Sequence, residues 1–584
     1  MTFIPLTRLT AVAAAAALPV AGLVASPAEA AAINVVCVGA PVGVTCDSTV
    51  STIAAAAIGL ATNGLDDLIA VGPGTYDEAV SLNGGTGKLT LRGSGDSTVI
   101  TLPAGAPTTT HVNAVKADVE NLKVSMGTGT GHWGVNVSVS GVRNVTIDGQ
   151  TATNGIGILA ENASLDDVRV QMPTNTGRGI YLIGDAEVSD AVVTAGTGVA
   201  VQDTGLQHVT RARITTGGIG INVGEGDLTV DNSLIDLGSA NATGLRAGNT
   251  NPGTGAAFIT ADHVTVVGGG GNSRGVQSLA NTPTAKRSAT VLLSNSVIHG
   301  PATPIQADAT NDGNQGGSSE AFVGVSYTDY DDETAVETIG ANGTGGVSEG
   351  AGNLDVDPGF LNVITGNYRP GPGSPLIDAG NPAASTSTLD LDGNPRVADG
   401  NGDITAVRDL GAYEVPDTFA PQTVITGATA SPTRDRTPTV KFTSEPGATF
   451  TCKVDAKPAV PCASPFTAPS LTNGTHKIAV TARDSAGNAD PTPATRTIVV
   501  DTVAPNTRFL SKSPTVTSKA KVRFTFTASG AVRYQCRLDA RAWQACTSPR
   551  VVSVTRGRHT FAVRGIDRAG NIDPTPARYT FRRS

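Results

Sequence analysis

Eight residues recur at one place in a repeated pattern, and several are of the types that hold ions, sugars or protons. They are Asn121, Asn144, Asp167, Asp190, Arg211, Asn232, His263 and Asn295. Each stands three positions before a small aliphatic marker: Val124, Ile147, Val170, Val193, Ile214, Ile235, Val266 and Ile298. If successive copies stack, their side chains form a ladder with a rise of about 4.8 Å per rung. Amides at that spacing hydrogen-bond one another and a turn backbone, which is a structural role. The middle of the ladder departs from that role. Asp167, Asp190 and Arg211 give a column of two carboxylates and a guanidinium, with Asp166, Arg169 and Arg213 beside it. Close carboxylates hold a hard cation such as Ca2+, and a guanidinium grips a sugar carboxylate through two parallel hydrogen bonds. These three are the candidate catalytic residues, for chemistry on an acidic polysaccharide.

A second set lies nearer the C-terminus, where Asp390, Asp392, Asn394, Asp399, Asn401, Asp403 and Asp409 are interspersed with Gly393, Gly400 and Gly402. Oxygen donors separated by glycines have the composition of a calcium loop, although the EF-hand spacing and its closing glutamate are absent. The same composition also builds Asx-rich turns without metal. Ca2+ is thus the one cofactor that the sequence raises, with these seven residues as its candidate ligands. A hydrolase would need an acid and a base or nucleophile facing each other across a groove, and the abundance of carboxylates singles out no such pair. His132, Trp133 and Tyr181 are candidates for stacking on a sugar ring, but aromatics make up only 4% of the chain, too few for a long carbohydrate platform.

The marker residues are separated by steps of 23, 23, 23, 21, 21, 31 and 32. A period in the low twenties, built from very short alternating strands, is the signature of a β-solenoid. A second column, Ile156/Ile158, Ile180/Leu182, Val199/Val201 and Ile219/Ile221, follows Gly155, Gly179, Gly198 and Gly218, read as sharp corners. The fold class expected is all-β: a right-handed parallel β-helix over residues 31–416, followed by two Ig-like β-sandwich domains at 417–501 and 502–584. A helix from Val50 to Ala61, capped by Ser51 or Thr52 and packing through Ile53, Ile58 and Leu60, is expected to cover the first coil. The Asp/Gly-rich segment is expected to cap the other end. The longer steps, near 239–257 and 267–289, are expected to project as loops from one side.

Val71-Gly72-Pro73-Gly74-Thr75-Tyr76, Leu89-Thr90-Leu91-Arg92-Gly93 and Thr98-Val99-Ile100 resemble the first coils of pectate-lyase-like right-handed β-helix proteins. Ser374-Pro375-Leu376-Ile377-Asp378-Ala379-Gly380 and Asp409-Leu410-Gly411-Ala412-Tyr413-Glu414 resemble the end of the helix in bacterial surface proteins of the choice-of-anchor type. The resemblance spans roughly residues 35–415. It implies the architecture; for chemistry it implies less, because such helices carry lyases, hydrolases, epimerases and adhesins. In the lyases Ca2+ acidifies the uronate proton and an arginine abstracts it, a role the resemblance would pass to Arg211.

The two terminal units repeat each other. Thr451-Cys452-Lys453-Val454-Asp455 returns as Gln535-Cys536-Arg537-Leu538-Asp539, and Gly474-Thr475-His476 as Gly557-Arg558-His559. They resemble bacterial immunoglobulin-like modules, in which His476 and His559 are read as structural. The six cysteines fall into three close pairs, Cys37/Cys46, Cys452/Cys462 and Cys536/Cys546, as three local disulfides would require. Residues 1–30, with Arg8, the apolar run Ala11–Val24 and Ala28-Glu29-Ala30, read as a secretory signal, and no later segment is long and apolar enough to span a bilayer.

Charge is unevenly spread: 17 basic and 40 acidic residues precede position 417, 8 and 7 lie in 417–501, and 16 and 3 in 502–584. An exported acidic body excludes nucleic acid as the main partner. The reading that follows is a secreted, extracellular or cell-surface monomer that binds polysaccharide or another envelope polymer. The alternatives are a polysaccharide lyase or glycoside hydrolase acting on acidic polysaccharide, with or without calcium, and a purely mechanical stalk.

Overall fold

The computed structural model describes residues 34–60, 66–106, 109–248, 255–280, 287–310, 319–340, 343–383 and 387–584. The segment expected to be a secretory signal, and residues 249–254 and 281–286 of the two stretches expected to project as loops, lie outside the described residues.

From Asn34 to Glu349 the described strands pair in parallel, each with the strand one coil away except Ser48–Val50, which pairs with Asn34–Val38 twelve residues earlier. The marker column is unbroken: Ile100, Val124, Ile147, Val170, Val193, Ile214, Ile235, Val266, Ile298 and Tyr330 are successive partners. A second column runs through Leu91, Val119, Val142, Leu165, Val188, Val209, Val230, Ala261, Leu293 and Val325. A third runs from Val112 through Ile158, Ile180 and Ile221 to Ile305. All three turn into one continuous dry core, because alternate side chains of each short strand point inward. This is a parallel β-helix, whose stability accumulates coil by coil.

Between the marker and second columns the chain bends through a left-handed residue. Asn121, Asn144, Asp167, Asp190, Arg211, Asn232, His263 and Asn295 all have φ between 47° and 57°, and Tyr327 continues the series at 46°. Asn and Asp tolerate this conformation better than other non-glycine residues, which accounts for most of the ladder.

The glycines of the third face play a different part from the one expected of them. Gly134, Gly157, Gly179, Gly198, Gly220, Gly244 and Gly275 occupy equivalent positions in successive coils, and none has positive φ. They are there for space: a Cβ on Gly198 would lie 2.4 Å from Ile214 Cγ2 and 2.5 Å from the carbonyl of Gly220. Gly155 and Gly218 precede this column by two residues and are not part of it.

Helix α1 (Ile53–Leu60) packs on the first coil through Ile53, Ala56, Ala57 and Leu60. Thr52 caps it as expected, its hydroxyl accepting the Ala55 N–H at 3.1 Å. Glu78, from the following coil, accepts the N–H groups of Ile53 and Ala54 at 2.8 and 2.9 Å. Ile58 is 82% exposed and takes no part in packing, a correction to the expected face. Val50 belongs to a short strand, Ser48–Val50.

Two small β-sandwiches follow, each with its own core. The first pairs a three-stranded with a four-stranded antiparallel sheet, the second a three-stranded with a five-stranded one. All three expected disulfides form. Cys452–Cys462 and Cys536–Cys546 each staple adjacent strands of one sheet, not the two sheets of the sandwich. His476 and His559 are structural: each ring bridges an aspartate, Asp455 or Asp539, and a backbone carbonyl, that of Thr472 or Thr555, at 2.8–2.9 Å.

Candidate functional site

The expected catalytic column does not close on itself. Arg211 donates to both oxygens of Asp190, at 2.8 and 2.5 Å, across one coil step. That hydrogen-bonded pair raises the Arg211 guanidinium further above its ordinary value, so it holds its proton firmly. Asp167 instead meets Arg169 of its own coil at 3.2 Å. Arg213 leaves this group altogether: it donates to Tyr413 Oη at 2.5 Å and to Asp392 at 2.6 Å.

Asp392 belongs to the Asp/Gly-rich segment, which lies along the side of the helix and not across its end. Leu391, Ala412 and Tyr413 cover the outward side chains Leu234 and Val267, while Leu376 and Leu410 cover Val297. The fit is keyed to the corner ladder. Arg396, 1% exposed, donates from Nε to Asn232 at 2.7 Å and from Nη2 to the Gly411 carbonyl at 2.9 Å, and Asn295 accepts the Asn381 N–H at 2.7 Å. We call this segment, residues 358–415, the strap.

The strap's carboxylates are directed at N–H groups. Asp390 accepts from the amides of Asp392, Asn394 and Glu414, Asp399 from those of Gly402, Asp403 and Ile404, and Asp409 from those of Asp378 and Val415. Asn401 and Asp403 make Asx turns with the amides of Asp403 and Thr405, and Asp392 bridges Arg213 and Arg369. Burial pushes Asp409 up to about 7 and Glu414 up to about 9, against the pull of Arg396. A calcium cage needs ionised oxygens converging on one point. Here Asp390, Asp399 and Asp409 are occupied by N–H groups and Asp392 by two arginines, and among the described residues the carboxylates of this segment do not converge on one point, so this donor set does not fit Ca2+. Three exposed carboxylates do converge elsewhere, those of Asp331, Asp332 and Asp355.

The side chains open to solvent together lie on the outer face of the sheet that carries the second column. Arg92, Glu120, Arg143 and Asp166 stand in register on four successive coils, with alternating charge. Arg92 meets Glu120 at 2.6 Å, Arg143 meets Asp166 at 3.5 Å, and Lys88 meets Asp118 at 2.8 Å. These residues line a cleft of about 200 Å3 that reaches Ser164. Ser164 also borders a wider, more open depression of about 510 Å3 lined by Asn162, Asp185, Glu187, Leu206 and His208. The two share Ser164 and form one polar trough; Asp167 adjoins its lining residue Asp166, while Asp190 and Arg211 are not among the residues that line either part.

His208 is the residue here that sequence reasoning missed. Its Nε2 lies 2.6 Å from Oδ2 of Asp231, one coil further on, and Asp231 also accepts from Thr210 at 2.5 Å and Asn232 at 2.8 Å. The hydrogen bond that its Nε2–H donates to Asp231 raises the imidazole above its ordinary value. Burial works against the Asp231 charge, but the bonds from His208, Thr210 and Asn232 outweigh it and hold its carboxyl below the usual range. The available signal was a histidine in an outward position of a solenoid strand one coil from an aspartate, visible only once the register is fixed. Because the folded His208 value is raised, its stabilisation is complete below the ordinary value of 6.5 and is lost as pH rises through the folded one. The Asp231 contribution is present above 3.8 and is lost as pH falls through its depressed value. Asp231→Asn is expected to shift the His208 proton NMR titration to lower pH. An unshifted midpoint would show that the pair does not form.

Tyr181 and Trp133 lie on the third face, away from the trough. Tyr181 hydrogen-bonds Gln202 at 3.0 Å and lies under the Arg178 guanidinium, so the two rings form no joint sugar platform.

No family model matches the chain, and no curated protein sequence does. Among solved structures it is similar to the catalytic unit of the thermostable GH87 alpha-1,3-glucanase from Streptomyces thermodiastaticus strain HF3-3, at 16% identity over 50% of this chain and 64% of that one, TM-score 0.30. It is also similar to tailspike protein gp49 of the Acinetobacter baumannii bacteriophage Fri1, a capsular polysaccharide depolymerase, at 11% identity over 77% of this chain and 76% of that one, TM-score 0.28. The fibronectin(III)-like modules of Clostridium thermocellum CbhA match 28% of this chain and 94% of theirs at 14% identity, TM-score 0.21. Among the described residues no helix is long and apolar enough to cross a membrane.

Proposed function

We propose that the chain is an exported polysaccharide-binding protein, its ligand lying along the trough from Lys88 to His208 and its two sandwiches serving as Ig-like modules. Three disulfides suit an oxidising compartment outside the cytoplasm. The observation that carries the reading is the in-register file of Arg92, Glu120, Arg143 and Asp166, which repeats donors and acceptors at each coil on an open face. A polymer with hydroxyls at every residue meets such a surface rung by rung, each contact weak and the sum set by the number of coils engaged. Because the charges are already paired, hydrogen bonding dominates and the binding should survive salt. The test is calorimetry of the full chain against a panel of neutral and acidic polysaccharides in 0.5 M salt, repeated with a triple variant, Arg143→Ala, Glu187→Gln and His208→Ala. Binding to at least one glycan, weakened about tenfold or more in the variant, is expected. Equal binding by both proteins disposes of the trough.

A second reading is favoured by one feature, the oriented Asp231–His208 pair beside Glu187, an arrangement suited to general acid–base chemistry. As a lyase or glycoside hydrolase on acidic polysaccharide, the protein would release unsaturated or reducing ends from uronate polymers, with calcium or with chelator, and His208→Ala would abolish them. Absence of both kinds of end from the wild-type reaction removes this reading.

A further inference from the structure

The two sandwiches are copies of one scaffold with the same strand registers, yet one sheet face differs between them. In the second copy Arg537, Ala562 and Arg578 lie side by side on three neighbouring strands, and the first copy has Lys453, Ala479 and Thr495 in that row. In the flanking rows, Arg564 replaces Thr481, Arg558 replaces Thr475 and Arg582 replaces Val499. All point away from the core, since Cys536, Leu538, Phe561, Val563 and Phe581 alternate with them and fill the interior. At the sheet edge Trp543, where the first copy has Ala459, holds the guanidiniums of Arg537 and Arg564 at 4.5 and 4.4 Å from its ring centroid. The ring fixes two otherwise flexible cations on the face.

Nothing within this unit neutralises them. Residues 502–584 have three carboxylates against 16 lysines and arginines. Asp539 is taken by His559 and the Thr560 amide, Asp567 by Asn571, and Asp573 by the Thr507 and Thr575 amides. The equivalent Asp455, Asp484 and Asp490 do the same work in the first copy, so these acids belong to the scaffold. Among the described residues no lysine or arginine of this unit is ion-paired; its one ion pair is His559–Asp539.

We propose that this arginine and tryptophan face is a docking surface for an anionic polysaccharide carrying repeated carboxylates, a site separate from the trough and independent of it. Guanidiniums spaced by the sheet register grip carboxylates in two-pronged hydrogen bonds, and a flat sheet presents them to an extended chain. A membrane suits the face less well: Trp543 is half-buried under the arginines, and the other exposed apolar side chain, Val516 beside Arg582, is a small one at the opposite edge of the sheet.

The test uses the full chain with its disulfides intact and polygalacturonate as the probe, followed by calorimetry at several salt concentrations. One variant gives the face the first copy's residues: Arg537→Lys, Trp543→Ala, Arg558→Thr, Arg564→Thr, Arg578→Thr and Arg582→Val. The neighbouring sandwich carries these residues at the same registers, so the fold should be retained, and circular dichroism checks it. A second variant removes an equal number of charges, four, from the opposite sheet and its flank: Lys519→Gln, Lys521→Gln, Arg523→Gln and Arg550→Gln. The expected result is salt-sensitive binding that weakens about tenfold or more in the face variant and less than about threefold in the other. Equal losses in the two variants would reduce the effect to net charge and overturn the proposal. So would absence of binding in the wild type, or capture by anionic phospholipid vesicles without capture by the polymer. Because trough binding is read in 0.5 M salt and this binding is lost there, failure of one leaves the other standing.

Discussion

Arg396→Ala is expected to release the strap from the side of the helix, at a cost of about 3–5 kcal/mol. The guanidinium is 1% exposed and joins the strap's Gly411 carbonyl and Glu414 carboxylate to Asn232 of the corner ladder. Its removal leaves Asn232 Oδ1 and the Gly411 carbonyl without their donor and takes away the buried guanidinium that attracts the carboxyls of Asp390, Asp409 and Glu414. The loss should be local, because the coils beneath are held by their own columns. Leu234, Val267 and Val297 would come into contact with water, so limited proteolysis should cut within 358–415 and an apolar dye should bind while the helix circular dichroism persists. Arg396→Lys should not rescue the strap, since a point charge cannot reach three acceptors in one plane. A strap that stays protease-resistant in Arg396→Ala would show that the apolar contacts alone hold it.

Gly198→Val is expected to be more damaging and to act on the helix itself. Its Cβ would lie 2.4 Å from Ile214 Cγ2 and 2.5 Å from the Gly220 carbonyl, one an inward core group and the other backbone of the next coil. Neither can move without disturbing the coil beyond it. Gly198→Ala should cost about 1–3 kcal/mol and the valine more, read as a lowered denaturation midpoint and reduced yield of folded protein. An unchanged midpoint would mean that the coils do not stack in the register described.

The β-helix was legible because its signal is periodic and local. Val124, Ile147, Val170 and Val193 repeat at a fixed step, and a one-residue slip would turn every inward side chain outward, so few registers are open. The corner ladder was legible for the same reason, although its cause is the left-handed backbone and not a shared ligand. The strap was harder to read. Leu234 and Val297, apolar at the outward position where earlier coils carry Arg169 and Arg213, signal that something covers them. Nothing in the sequence says that Arg396, 164 positions away from Asn232, is the group that arrives. The carboxylates of Asp390, Asp399 and Asp409 were read as ligands because composition does not reveal where their lone pairs point.

The periodic aliphatics, the cysteine spacing and the duplicated terminal pattern were fixed by the amino-acid order alone, since each rests on neighbours a strand or a coil apart. Which charges face solvent together was decided by the tertiary structure: Asp167 turned to Arg169, Arg213 found the strap, and His208 found Asp231. Pairing between coils depends on register and on what later folds over the surface, and ionic partners are selected by proximity in space, which charge and spacing along the chain do not encode.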